Sequence, residues 1–289
     1  MPAAAPLVRV VRSGVEESSH LGHVAVCDAD GRLVASAGDP DRLVFARSCT
    51  KPLQAAVSLG AVDEALPDRE VAIACASHNG EPVHVGAVRA VLRRGGLDEG
   101  ALRNPPGWPL DAQAMARSQH KHPLLHNCSG KHAAMLLACV RNGWDPEAYL
   151  GRSHPLQRRI LRAVRSAAGQ DRVEVGVDGC GVPVHGVSLR AMATLYARLS
   201  EPERLGALGP SAGRCVEAML AEPYLIGGRR RDDTDIMRAT GDVVAKAGAE
   251  GLGCAGGPRI RAGRGRQGGR RRLPGGASGA DRGQPPWTG

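Results

Sequence analysis

Apolar positions at the start of the chain fall in short, β-branched runs. LVRVVR (7–12) predicts a strand, and HVAVCD (23–28) with RLVAS (32–36) predicts a hairpin turning through Asp28–Gly31. LVFA (43–46) is a fourth short run. The period then changes. SCTKPLQAAVSL (48–59), stopped by Gly60, predicts a helix that begins at Ser48, because Pro52 is tolerated only in a first turn. REVAIACASH (69–78) has the β-branched content of a buried strand, and EPVHVGAVRAVLRRGG (81–96) reads as a helix closed by a glycine pair. Residues 103–127 read as loop, with DAQAMARSQH (111–120) able to form a short helix.

SGKHAAMLLACVRN (129–142) carries the strongest helix signal, with Ser129 as cap and Gly143 as stop. PLQRRILRAVRSAAG (155–169) puts Leu156, Ile160, Leu161 and Val164 on one face and arginines on the other. VEVGVDGCGVPVHG (173–186) reads as a strand entering a glycine-rich turn. SLRAMATLYARLSE (188–201) and GRCVEAMLAE (213–222) read as helices, the first capped by Ser188. TGDVVAKAGAEGLGCAG (240–256) gives a strand around Val243–Lys246, a turn and the start of another strand. This order predicts an α+β fold, not a regular βαβ array.

The pattern stops after Cys254. The last 34 residues hold eleven Gly, many Arg and no apolar period, too little to offset chain entropy, so a disordered tail is expected over 257–289 and a single catalytic domain over 1–256. Two readings of the tail stand: a basic arm for an acidic partner, or a departure from the ancestral reading frame that truncates the domain at its C-terminal strands. The tail also relocates the charge. Of the net +9, the eight Arg and one Asp from Gly257 onward carry +7, leaving +2 on residues 1–256, which argues against nucleic-acid binding by the folded domain. Aromatics are only 2% of the chain, so Ala, Val, Leu and Ile must build the core. Eight Cys without CxxC spacing predict reduced, mostly buried thiols, and with no signal-peptide pattern or run of roughly 18 apolar residues the expected location is the cytoplasm.

Several positions carry candidate chemistry. Ser48 and Lys51 form an S-x-x-K set; three residues of helix put both on one face, and a desolvated lysine could take the serine proton for attack on an amide. The alternative is a capping serine beside a lysine that reaches solvent. Ser77-His78-Asn79-Gly80, after the run at 69–75, is placed like a site, with Ser77 a second hydroxyl and Gly80 open to a ligand; it is equally an ordinary turn. Cys128 and Cys180 could bind zinc with one N or O ligand, could be inert thiols, or one could be a nucleophile with His132 as base. Lys246, on the late strand, is a second base, a clamp, or a solvated edge charge.

Six motifs in order, R-S-G…E-S-S-H-x-G, R-S-C-T-K-P-L-Q, C-A-S-H-N-G-E-P-V-H, N-C-S-G-K-H-A-A-M-L, D-G-C-G-V-P and A-K-x-G-A-E-G, resemble the bacterial asparaginase II family, the thermolabile rhizobial type, across residues 7–254. The resemblance implies a fold similar to the serine β-lactamases and glutaminases: an antiparallel sheet with packed helices and a helical cluster across the cleft. It also implies two Ser–Lys pairs, Ser48 with Lys51 and Ser77 with Lys246. Cys128, Lys131 and Cys180 match the family's zinc site; Asp178 matches a substrate-binding residue, and Arg47, Asn79, Gly80 and His132 are further binding candidates. The implied reaction is hydrolysis of L-asparagine through an acyl-enzyme, by a homodimer. The remaining readings are an amidase or glutaminase-like acylase on another small amide, and a non-catalytic binding module whose basic tail grips nucleic acid.

Overall fold

The computed structural model describes residues 3–258, which fall in one compact unit; the tail lies almost wholly outside the described residues. Two hairpins come first: β1 (Ala5–Arg12) with β2 (Val15–Gly22), and β3 (Val24–Cys27) with β4 (Leu33–Ala37). The sequence pattern hid β2, because VEESSHLG keeps nearly all its side chains exposed and shows no apolar alternation. β5 (Leu43–Phe45) leads through a 3-10 turn, Arg47–Thr50, into α1 (Lys51–Leu59). The expected helix at 48–59 is therefore two elements, and Ser48 sits in the tight turn, one residue after the left-handed Arg47 (φ 45).

α2 (Asp68–Cys75) corrects the strand expected over 69–78. Val71 through Cys75 are all buried, so a helix enclosed on every side gives the same continuous apolar run as a core strand. Pro67 at its N-cap and Asp68 and Glu70 in its first turn were the helix-start signals that the β-branched pair outweighed. α3 (Pro82–Arg94), α4 (Ala112–Arg117), α5 (Ser129–Arg141) and α6 (Pro155–Ala168) follow, α6 ending at the left-handed Gly169. Ser129 is not the cap of α5. Cys128 holds that position, and Ser129 lies inside the first turn, where its hydroxyl meets His78 Nε2 (2.9 Å) and donates to the Leu124 carbonyl (2.9 Å).

β6 (Glu174–Val177) and β7 (Pro183–Ser188) form a hairpin around the turn 178–181, with β5 on the other edge of β7. α7 (Leu189–Leu199) is capped by Ser188, which accepts from Ala191 N–H. α8 (Gly209–Ala221), α9 (Pro223–Ile226) and α10 (Asp232–Thr240) precede β8 (Val244–Ala247), which pairs antiparallel with β9 (Gly253–Gly256). The architecture is mixed helix and strand; among the described residues every strand pairs antiparallel, in four separate groups instead of one continuous sheet. The core is helical: α1 packs against α2, α5, α6 and α8, and α3 against α5. Small residues permit close approach. A Cβ on Gly130 would lie 2.1 Å from the Ile73 carbonyl oxygen, so only glycine lets the start of α5 meet the end of α2. That crossing brings Cys128 and Lys131 beside the residues following Cys75. No helix among the described residues is long and apolar enough to cross a membrane.

Candidate active site

Four chain segments converge on a cavity of about 300 Å³: the turn before α1, the loop after α2, the start of α5 and the β6–β7 turn, joined by Arg231 and by the residues just after Lys246. Its walls include Ser48, Ser77, Cys128, Asp178 and Cys180. Lys51 lies beneath, fully buried. Its Nζ contacts Ser77 Oγ (2.7 Å), the Ala76 carbonyl (2.7 Å) and the Asn127 carbonyl (3.3 Å). Burial pushes the Lys51 amine down to about 8; the positive Lys131 and Lys246 add to the fall, and negative charge on Cys128 and Cys180 opposes it. Neutral, the amine has two N–H donors and one lone pair. Two of its three neighbours are carbonyls that can only accept, which leaves the lone pair for the Ser77 hydroxyl proton.

The amines are thus not shared out as expected. Among the described residues the Lys51 amine makes no hydrogen bond to the hydroxyl of Ser48, which is half-buried on the cavity wall without a side-chain partner; only the Lys51 backbone N–H reaches Ser48, at its carbonyl. Lys246 does not bond Ser77; its ammonium forms a buried ion pair with Asp233 and donates to the Ala247 carbonyl (3.1 Å). Asp233 also accepts from Ala247 N–H. β8 is held against the turn before α1 by the Cys49 thiol, which donates to the Lys246 carbonyl at 3.2 Å.

Arg47 and Asp178 face each other across the cavity. Arg47 Nε donates to Asp178 Oδ1 at 2.8 Å, and Gly179 N–H donates to the same oxygen. Among the described residues Asp178 Oδ2 has only a 3.8 Å contact with the Cys180 thiol, and Asp178 lines the cavity. Asn79 and Gly80 are elsewhere. Asn79 is buried, its amide donating to the Arg229 carbonyl (3.0 Å), so it braces the loop. The space over Gly80 is filled: a Cβ there would lie 2.8 Å from the Leu125 carbonyl oxygen, so that glycine admits protein, not ligand. His132 is also buried outside the cavity wall, with Nδ1 2.6 Å from the Tyr149 hydroxyl.

The two cavity thiols influence each other. A hydrogen bond from Cys180, then Lys51 and Lys131, hold Cys128 well below an ordinary thiol despite its burial, while that same bond and burial push Cys180 up. Burial pulls Lys131 down, but Cys180 and Cys128 outweigh it and keep the amine above its usual range; its Nζ donates to Cys180 Sγ at 3.1 Å. Two sulfurs and an amine are donor types that zinc takes, the amine once it has lost its proton. His132 Nε2, buried and without a hydrogen-bond partner among the described residues, is a further ring nitrogen close by in sequence. Among the described residues, no group of three or more His, Cys, Asp or Glu converges as a metal site, so this set depends on the lysine.

A sequence profile of L-asparaginase II matches residues 8–268. The chain belongs to the L-asparaginase II family. It is an enzyme of the amidohydrolase class, and the profile match extends past Cys254, where the apolar pattern stops. No curated protein matches it. Within this asparaginase II chain, the residues that the primary structure did not single out are Arg231, on the cavity wall, and Asp233, the partner of Lys246. Both lie in RRRDDTDIMRAT, where a basic run hides the start of α10.

Proposed function

We propose that this protein hydrolyses L-asparagine to L-aspartate and ammonia through an acyl-enzyme, with Lys51 as the base and Ser77 as the attacking serine. The 2.7 Å contact between Lys51 Nζ and Ser77 Oγ carries this reading, because a serine hydroxyl needs a neutral base within hydrogen-bond reach. Ser77 Oγ adds to the side-chain carboxamide carbon as its proton passes to Lys51. The Lys51 ammonium returns that proton to the departing nitrogen, ammonia leaves, and a serine ester remains. Water, deprotonated by Lys51, then opens the ester and restores Ser77. Ser77 N–H is not an oxyanion donor, since it is held by the Ile226 carbonyl at 2.9 Å. Asp178 Oδ2 takes the α-ammonium of the substrate.

A second reading has Ser48 attack, with Ser77 relaying its proton to Lys51. The unpartnered Ser48 hydroxyl on the cavity wall favours it. Cys128, Lys131 and Cys180 would hold a zinc ion, which when bound supplies a Lewis-acidic point for fixing the substrate. The fold then corresponds to a serine β-lactamase or glutaminase type, working as a cytoplasmic homodimer. Ammonia release from L-asparagine, L-glutamine and D-asparagine, measured side by side, tests the substrate; signal from another amide with none from L-asparagine overturns it. Mass mapping of the ester after an acid quench separates the serines. Ester on the peptide holding Ser77 supports the first reading, and on Ser48 the second.

A further inference from the structure

We propose that Arg231 is the specificity-determining cation of this cavity, binding the α-carboxylate of an amino-acid amide. The proposal rests on the hydrolase reading only in that the cavity is taken to be where the amide lies. Three charged side chains other than histidine line it, Arg47, Asp178 and Arg231. Arg47 is committed to Asp178 at 2.8 Å and lies 3.8 Å from Glu250. Arg231, half-buried, has no ion pair or side-chain hydrogen bond among the described residues. With Arg47 paired to Asp178, Arg231 is left as the cavity arginine with no carboxylate partner among the described residues.

The position of Arg231 is built. The chain before it is fastened to the loop bearing Ser77: Ser77 N–H donates to the Ile226 carbonyl and Asn79 N–H to the Gly227 carbonyl, both at 2.9 Å, and Arg229 N–H donates to Glu81 Oε1 at 3.2 Å. The arginine stem then folds back on this strap, since a Cβ on Gly227 would lie 2.6 Å from Arg231 Cβ. Arg230, immediately before, is left-handed (φ 56), a conformation that is strained for an L-residue. Local preference also opposes the choice: Arg231 occupies the N-cap of α10 with no capping bond, where the helix dipole disfavours a cation. Strain and an unfavourable residue at a cap, at the edge of a cavity, indicate a ligand for that side chain. A substrate whose carboxamide reaches Ser77 presents its two α-substituents to the two walls, Asp178 for the ammonium and Arg231 for the carboxylate.

The test compares L-asparagine with 3-aminopropanamide, which is asparagine without its carboxylate, in wild type, Arg231→Gln and Arg231→Lys. A charged hydrogen bond of the usual strength predicts that Arg231→Gln lowers kcat/KM for L-asparagine by about 10- to 150-fold, mostly through KM, with little change for 3-aminopropanamide. Arg231→Lys should recover part of the loss. An equal fall for both substrates, or none for either, overturns the proposal. Should wild type release ammonia from no amide, the hydrolase reading fails by itself, and calorimetry decides the inference. Arg231→Gln must then weaken binding of L-aspartate but not of 3-aminopropanoate, and equal affinities in both proteins overturn it.

Discussion

The amine of Lys51 and the hydroxyl of Ser77 meet at 2.7 Å across 26 residues of chain, with the carbonyls of Ala76 and Asn127 completing the surroundings of the amine. Lys51→Met and Ser77→Ala are each expected to lower ammonia release at least ~100-fold, the scale of a lost general base or nucleophile. Circular dichroism should show both variants folded. Near-wild-type turnover in either removes the base–nucleophile assignment.

The same burial sets a pH dependence. With its amine pushed down to about 8, Lys51 is neutral in about a tenth of molecules at pH 7 and half of them at pH 8, so kcat/KM should rise roughly fivefold between the two and level above that. The sign for stability follows from the unfolded value of 10.5. Between about 8 and 10.5 the unfolded chain holds a proton that the folded one has lost, so this group makes the fold more stable as pH rises through that window, and contributes no slope below it. Denaturant titrations of wild type against Lys51→Met across pH 7–10 measure the difference. An acid limb that does not move with this substitution, or lies near pH 6, contradicts it.

Asp233 and Lys246 form an ion pair with both side chains out of solvent. Breaking one half strands a buried charge, so Asp233→Asn and Lys246→Met should each cost about 3–5 kcal/mol. Removing both charges together strands none. The double variant is therefore expected to unfold at higher denaturant than either single one, and strict additivity in that cycle would show that the pair is not coupled.

Gly130 tests the crossing that assembles the site. Its replacement by Ala puts a carbon well inside contact distance of the Ile73 carbonyl oxygen, and overpacking of this kind costs about 1–3 kcal/mol. Because α5 carries Cys128 and Lys131 and α2 leads to Ser77, the helices must separate and activity should fall more than ~10-fold even where the variant folds. Unchanged melting and turnover would refute the close approach.

For the proposed metal, one zinc per chain is expected by elemental analysis, lost when Cys128 and Cys180 are both changed to Ser, since the two sulfurs would be two of the three protein donors. Zinc-free protein with full activity rules this out.

The legible parts of this protein are those in which a residue answers to its own neighbours in the chain. Strong helix formers and a glycine stop placed α5 and α3, and alternation with a turn placed β3 and β4. Motif order was sufficient to reach the family, which the profile match over residues 8–268 bears out. Elements buried on all sides or exposed on all sides were not legible. α2 passed for a strand because burial everywhere erases the 3.6-residue period, and β2 went unread because exposure everywhere erases the two-residue one.

Partnership was the other thing the chain order concealed. Three-residue spacing suggests that Lys51 serves Ser48, yet a buried amine turns to whichever acceptors its packing supplies, and here those come from the end of α2 and the start of α5. Lys246 likewise took the carboxylate that α10 brought to it. Arg231 sits in a basic run that looks like solvated charge, until a strap bonded to the Ser77 loop turns it onto a cavity wall. The primary structure determined which chemical groups this protein has and the family they belong to. Which group touches which was decided only by the tertiary fold, because short-range contacts between side chains depend on three-dimensional distance, and spacing along the chain constrains that distance only within a single turn.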